Sequence, residues 1–452
     1  MIFKQYLSEG LAHFSYMIAD GGQAIVIDPR RDIDCYLQDA ALGGYHIGHV
    51  LETHRNEDYV IGSHELEAVT GAHLFHADGQ WDYKYGESVR DGQKWRVGRL
   101  TVRAIHTPGH TPGSMSYLLH DPDGNPWALF SGDALFSGDV GRVDLLGEMR
   151  LEEMASLLYD SLFNKILPLG DEILLCPAHG AGSVCGSGIA ERTWTTIGLE
   201  KLHNPKLQAK SKVEFINLHA AMLKRPPYFR MMERLNLTGA PILGRLPQLR
   251  PMMPDAFGIT AQSAQVVDVR DPISFGRAHV PGSLSILADA LASYAGWFIN
   301  YEAPILFVCD PQVAQKISQV MIRLGFDALS GYLGGGIVAW AKVGKHLASI
   351  QNLSVAEFCR EMQSTNPKLV LDVRGKEEIK GKGLKTVQQI ELTELMDHLD
   401  EIPRDRSIYT LCPSGNRSMI AASLLKREGW EDVGTIIGGL SAWKAYGCDF
   451  EL

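Results

Sequence analysis

Paired cysteines are what this chain most obviously lacks. Its seven cysteines (Cys35, Cys176, Cys185, Cys309, Cys359, Cys412 and Cys448) are odd in number, widely spaced and never in a C-x-x-C pair. A disulfide framework is therefore not expected, and each cysteine reads either as core filler or as chemistry. No stretch reaches the 18 or so apolar residues of a membrane-spanning helix. The N-terminal residues lack the apolar run and small-residue cleavage site of a secretory signal, so a cytoplasmic location is expected. There is no basic run either. The formal net charge is -10 with both signs interspersed, which argues against nucleic acid or an anionic membrane as partner.

What is present is globular: 45% hydrophobic and 21% charged residues. At 452 residues the chain exceeds a single core, and two to four domains are expected. Residues 14–20 and 23–29 read as a β-hairpin about Gly21-Gly22. Short apolar runs at 46–54, 100–109, 127–135 and 172–180 each end at His or Asp followed by polar, Gly or Pro residues. An α/β scaffold presents a site in this way, with polar ligand-type side chains where buried strands stop. Residues 151–167 carry apolar positions at helical spacing and are expected to cover a sheet face. Between about 200 and 255 the texture changes to broken helices and a Pro/Met-rich linker, placing a domain boundary near 250.

Beyond the linker the sequence repeats. VVDVRD at 266–271 returns as LVLDVRG at 369–375, and GGGIVAW at 334–340 returns as GGLSAW at 438–443. Asp268 to Cys309 is 41 positions and Asp372 to Cys412 is 40; Asp268 to Trp340 is 72 and Asp372 to Trp443 is 71. Landmarks that hold register over about a hundred residues indicate two tandem copies of one small α/β domain. Ser354 and Glu357 form a capping-box pattern opening the second copy. The expected domains are 1–250, 255–350 and 351–452.

In the second copy an apolar strand ends at Cys412, a tight loop follows (Ser414, Gly415, Asn416), and a helix begins near Arg417 and Ser418. Backbone N–H groups and a helix N-terminus then face the sulfur, and Arg417 adds positive charge, all favouring thiolate. This segment resembles the active loop of rhodaneses, sulfurtransferases whose cysteine carries sulfane sulfur as a persulfide. The DVR and GG-x-x-AW landmarks are similar to that family over roughly 255–452. A phosphatase-type anion loop is the alternative. Cys412 to Arg417 is C-x4-R, however, against the wider C-x5-R that phosphatases resemble. At Cys309 the loop has neither Gly nor Arg, and Asp310 opposes a thiolate. The first copy therefore reads as a rhodanese-like domain without catalysis, a spacer or docking surface.

In the N-terminal part His54, His110, Asp133 and His179 each follow a strand, a set whose residue types suit a metal. These segments resemble the metallo-β-lactamase fold, an αββα sandwich, over roughly 1–245. Members of that fold commonly carry H-x-H-x-D-H; here the frame reads His54, Arg55, Asn56, Glu57, Asp58, Tyr59, without its second and last histidines. That loss counts against a two-zinc hydrolase of glyoxalase II or lactamase type. The remaining His54, His110 and Asp133 suit a mononuclear Fe(II) oxygenase, with Zn as the alternative ion. The set resembles that of persulfide dioxygenases. The resemblance implies orienting roles for Asp58 and His179, substrate binding by Arg142 of the GRVDL segment (141–145), and a thiol relay or a bystander role for Cys185 in a flexible loop. Cys176 and Cys359 read as core.

As a whole the chain resembles persulfide dioxygenase–rhodanese fusions. This implies oxidation of a low-molecular-weight thiol persulfide by dioxygen to sulfite, coupled to sulfur transfer through Cys412 with sulfite and thiosulfate as partners. The alternatives are a sulfurtransferase with a metal-free N-terminal domain and a mononuclear zinc thioester hydrolase. The thiol carrier, the direction of sulfur flow and homo-oligomer formation are left open by the sequence.

Overall fold

A computed structural model describes all residues except 187, 367, 380–383, 385, 386 and 447–452. Cys448 thus lies outside the described residues. Two compact units are present, Met1–Leu246 with Gln319–Phe326, and Pro247–Ser318 with Asp327–Leu452.

The first unit is built on two six-stranded sheets. One runs in chain order from Ile2–Ser8 through His13–Asp20, Gln23–Ile27, His46–Leu51 and His73–His76 to Glu87–Ser88. Its expected hairpin is there, with Asp20 opposite Gln23. The other runs in reverse, from Thr195–Thr196 through Leu174–Pro177, Pro126–Gly132, Met115–His120 and Leu100–His106 to Lys94–Val97. Alternate residues of both sheets face each other in one core, including Tyr16, Ile18, Ile25 and Ile27 against Val102, Tyr117, Leu119 and Phe130. Burying one such side chain contributes about 1.5–3 kcal/mol. The outer faces are closed by helices. Asp34–Gly43 and Ser63–Thr70 bring Tyr36, Ala40 and Leu66 to the first sheet. Leu151–Ser161 brings Leu151, Met154, Ala155 and Leu158, at helical spacing, to the second. The result is the expected αββα sandwich.

The short segment 319–326 belongs to this unit through a buried fork, in which Arg323 donates to both Asp32 oxygens at 2.7 Å.

In the second unit the repeat becomes two five-stranded parallel sheets of identical order. The first is Pro251–Met252, Leu329–Leu333, Ile305–Val308, Gln265–Asp268 and Leu284–Ser285. The second is Gln351–Leu353, Val433–Ile436, Ser407–Leu411, Lys368–Asp372 and Gln388–Gln389. The Pro/Met-rich linker therefore supplies the first copy's edge strand. Each DVR landmark makes the same local fork: Arg270 grips Asp268 and Arg374 grips Asp372 through Nε at 2.9 Å. The capping box forms, with the Ser354 amide donating to Glu357 and the Glu357 amide to Ser354. Cys359 is buried in the helix that follows, as expected of a core residue, but it is disulfide-bonded, which the expectation of unpaired cysteines did not include.

Candidate functional site: a buried His/Asp metal centre and a cysteine loop

His54, His110, Asp133, Asp58 and His179 converge at the strand ends of the first unit, and all are essentially inaccessible. Fixed hydrogen bonds set each imidazole. Nδ1 of His110 lies 2.9 Å from the Arg142 carbonyl, which can only accept, so Nδ1 carries the proton and Nε2 presents its lone pair. Nδ1 of His54 lies 2.9 Å from Oγ1 of Thr53, whose hydroxyl in turn donates to Asp28 at 2.7 Å. The His54 and His110 Nε2 atoms approach Asp133 Oδ2 at 3.7 and 3.5 Å. Neither Nε2 makes a hydrogen bond, though both are buried. One donor atom each from His54, His110 and Asp133 falls within 4.8 Å of the others. Two imidazole lone pairs and a carboxylate oxygen pointing at one another are the donor set of a divalent metal ion.

Burial alone would lower His110, yet Glu57 and Asp133 outweigh it and push His110 up to about 9. Burial raises Asp133, but His179 and His54 outweigh it and hold the carboxyl well below its usual range. Three buried carboxylates, Glu57, Asp58 and Asp133, gather positive charge around themselves.

Asp58 and His179 adjoin this set. Nδ1 of His179 is 2.8 Å from Asp133 Oδ1, so His179 orients Asp133; its Nε2 lies 3.1 Å from Asp58 Oδ2. Asn56 and Tyr59, which stand where other members carry histidine, leave the loop well ordered. Asn236 donates to the carbonyls of both, at 2.7 and 2.8 Å, and Arg55 is held by Glu233 and the Trp81 ring.

Two expectations change here. Cys185 is not on a flexible exposed loop: it is fully buried, 3.7 Å from Glu57, and burial pushes its thiol up. Arg142 does not extend a free guanidinium toward substrate. It forks onto Asp144 with two bonds of 2.7 Å, while its carbonyl holds His110. The GRVDL segment thus reaches the His/Asp set through the Arg142 backbone carbonyl. A Cβ at Gly141 would sit 1.9 Å from the Asp133 carbonyl oxygen, so only glycine allows that approach. Beside it opens a small cleft of about 80 Å³ whose lining includes Arg142, Cys185, Gly186, Lys206, His219 and Leu223.

Glu57 was missed by sequence reasoning, where it was only the spacer between two motif positions. Its Oε1 lies 3.1 Å from His110 Nε2; burial raises it, but His110 outweighs this and holds it at about 2. The signal available was its charge, since Glu57 stands within the motif frame next to Asp58.

In the second unit Cys412 lies at the end of Ser407–Leu411, 1% exposed, before the helix Asn416–Arg427. Its sulfur accepts N–H bonds from Gly415 at 3.1 Å and Ser418 at 3.4 Å. These amides and the helix N-terminus form the anion-stabilising cradle expected. Ser414 and Asn416 are exposed at its rim. Arg417 turns aside to grip Glu378, whose carboxylate holds its guanidinium. The GG landmark supports the loop from below: Leu440 and Ser441 amides donate to the Cys412 and Pro413 carbonyls at 2.9 and 3.0 Å. At Cys309 burial pushes the thiol up to about 12, with Asp310 adding to it.

A metal-binding αββα domain followed by tandem α/β domains, one of them bearing a cradled cysteine, is therefore the class that fold and site define. The metallo-β-lactamase superfamily matches residues 9–179, and the rhodanese-like domain matches 258–343 and 354–446. A metallo-β-lactamase structure from Staphylococcus aureus is 30% identical, with a TM-score of 0.67, covering 73% of this chain and 98% of that one. A hydroxyacylglutathione hydrolase of Francisella tularensis subsp. novicida is 32% identical over 181 residues, 39% of this chain and 67% of the relative. ETHE1 from Myxococcus xanthus is 34% identical over 52% of this chain and 98% of its own, with a TM-score of 0.46. The chain belongs to the metallo-β-lactamase superfamily and carries two rhodanese-like domains after its metallo-β-lactamase domain. It is an enzyme of that architecture.

Proposed function

We propose that the chain oxidises a low-molecular-weight thiol persulfide to sulfite in its first domain (1–250) and transfers sulfane sulfur through Cys412 in its last (351–452), with 255–350 as a non-catalytic copy. The observation that carries the first half is the donor set itself: His54 and His110 hold their Nε2 atoms buried against Asp133 without a hydrogen bond. Two histidines and one carboxylate with open positions suit Fe(II), which when bound supplies activation of dioxygen beside a thiolate substrate. The net reaction is RSSH + O2 + H2O → RSH + SO3²⁻ + 2 H⁺. In it the outer sulfur is oxidised and dioxygen reduced.

The chain's own residues do the rest. Thr53 and the Arg142 carbonyl fix the imidazole tautomers, and His179 fixes Asp133. The small cleft with Lys206 on its wall gives the charged end of an anionic carrier a place to approach. At the second station, the Cys412 thiolate takes sulfur from a persulfide, Cys–S⁻ + RSSH → Cys–S–S⁻ + RSH, while the Gly415 and Ser418 amides face the anionic sulfur. Sulfite then accepts it, Cys–S–S⁻ + SO3²⁻ → Cys–S⁻ + S2O3²⁻. Fusing the stations raises the effective concentration of sulfite at the second.

Thioester hydrolysis with zinc is the second reading, favoured by the hydroxyacylglutathione hydrolase likeness. Iron-reconstituted protein given glutathione persulfide separates the two: oxygen uptake that disappears in His110→Ala supports oxidation. Cleavage of an acyl-glutathione by zinc-loaded protein, with no uptake by the iron form, supports hydrolysis.

A further inference from the structure

The proposed reaction leaves Glu57 without a task. Its side chain is fully buried, its Oε1 lies 3.1 Å from His110 Nε2, and its Oε2 makes no hydrogen bond. A buried ion pair with His110 is the plainer account of this contact. Such a pair offsets its desolvation only where good hydrogen bonds satisfy both partners. Here His110 Nε2, like Glu57 Oε2, is buried without one. A proton on Nε2 bridges imidazole and carboxylate in the metal-free protein, and a metal ion can stand in its place. The contact has the distance for either and the hydrogen-bond geometry for neither proton donor nor acceptor, which favours the ion.

The separation points the same way. Adjacent donors on a six-coordinate ion with bonds of about 2.1 Å lie about 3.0 Å apart, against about 3.4 Å on a four-coordinate one. Glu57 Oε1 and His110 Nε2, at 3.1 Å, already have the six-coordinate spacing. Asp133 Oδ2, at 3.5 Å from His110 Nε2 and 3.7 Å from His54 Nε2, needs to close by about 0.5–0.7 Å to join them.

The chain around Glu57 is fixed before any ion arrives. The Arg55 amide donates to Asp78 at 2.9 Å, and Asn236 donates to the Asn56 and Tyr59 carbonyls on either side. The Cys185 thiol is a weak donor to Oε1 at 3.7 Å. A carboxylate whose backbone and oxygen are both held in this way is built as metal ligands are built.

We infer that Glu57 is a fourth protein ligand of the ion held by His54, His110 and Asp133, making the centre a two-histidine, two-carboxylate site. The inference rests on the metal reading of that set and narrows the ion. Two carboxylates balance the charge of a divalent ion in a buried site, and the added oxygen donor favours iron or manganese over a softer ion. Two positions remain on a six-coordinate ion, enough for dioxygen and a persulfide thiolate together. Glu57 thus brings a donor to the metal loop directly beside Asn56, where the motif frame has histidine.

The test loads the metal-free full chain anaerobically with less than one equivalent of Fe(II), in a Cys412→Ser background that keeps the rhodanese thiol out. Nitric oxide is then added, because the electron paramagnetic resonance of its iron adduct reports the ligand set. Glu57→Gln should shift the g-values and raise the Fe(II) dissociation constant beyond the 10–100-fold or so that loss of an orienting partner costs. Glu57→Asp keeps the charge but draws the oxygens back by one methylene, and should shift the g-values as well. Circular dichroism of the metal-free variants checks the fold, and Glu57→Asp decides the matter if Glu57→Gln does not fold. Unchanged g-values, at whatever affinity, would make Glu57 a charged neighbour only and overturn the inference while the metal reading stands. Failure of the parent chain to bind Fe(II) would strike both. Glu57-dependent g-values in a protein that never consumes oxygen would uphold the ligand and strike the dioxygenase reading alone.

Discussion

Replacing Gly439 by alanine should disable sulfur transfer without touching any atom that reacts. The residue has φ +54°, a left-handed conformation that costs an L-residue about 1–2 kcal/mol. Its position matters more. A Cβ there would lie 2.1 Å from the Cys412 carbonyl oxygen and 3.0 Å from the Pro413 backbone, so the active loop must move by about 1 Å to reach ordinary contact. Displacements of that size cost about 10²-fold in rate when they disturb a reacting geometry. The first copy provides the control. Gly336 occupies the equivalent position before Trp340 with φ +60°, but a Cβ there meets nothing within 4 Å. Gly336→Ala should therefore show the conformational cost alone. Thiocyanate formation from thiosulfate and cyanide, with thermal unfolding of both variants, measures the two effects. Gly439→Ala transferring sulfur as fast as Gly336→Ala, at equal stability, would refute the idea that the GG landmark positions the cysteine loop.

Three further outcomes follow from the same geometry. His110→Ala removes one imidazole donor, so iron content by elemental analysis should fall well below one per chain while far-ultraviolet circular dichroism is retained. Burial and Lys206 lower His219 to about 4, below its unfolded value. The unfolded chain then binds the extra proton between about pH 6.5 and 4, so stability conferred by a neutral His219 is present above that window and lost as pH falls through it; the acid slope of the unfolding midpoint should be shallower in His219→Gln. Glu378→Gln frees the Arg417 guanidinium from its carboxylate partner, and sulfite, an anionic acceptor, should bind the last domain with a lower KM in steady-state transfer assays.

Much of this was legible in the sequence because it was local. The Cys412 cradle is one strand, one turn and one helix start, and backbone geometry alone aims the amides at the sulfur. The repeat was legible from register, and its two sheets share one strand order. The ends of buried strands gave His54, His110, Asp133 and His179 for a similar reason. What could not be read depends on where distant side chains turn. Arg142 carries the charge of a substrate-binding residue, but Asp144 two positions on claims its guanidinium and only its carbonyl reaches the metal centre. Cys185 follows a glycine-rich loop that suggests exposure, yet the fold buries it against Glu57 and Asp58. Glu57 has no periodic or spacing signal at all, and its closeness to His110 arises only when two strand ends meet. Arg323, 291 positions from Asp32, joins the first unit by a buried pairing that no local pattern announces.

The central claim is that two chemical stations act in series, and product analysis tests it most directly. Iron-loaded full chain and its Cys412→Ser variant would be given glutathione persulfide and oxygen, with uptake, sulfite and thiosulfate followed together. The account predicts equal oxygen uptake by both, thiosulfate from the unaltered chain, and sulfite accumulating in its place from the variant. Loss of oxygen uptake in Cys412→Ser, or thiosulfate still formed by it at the original rate, would contradict the two-station account.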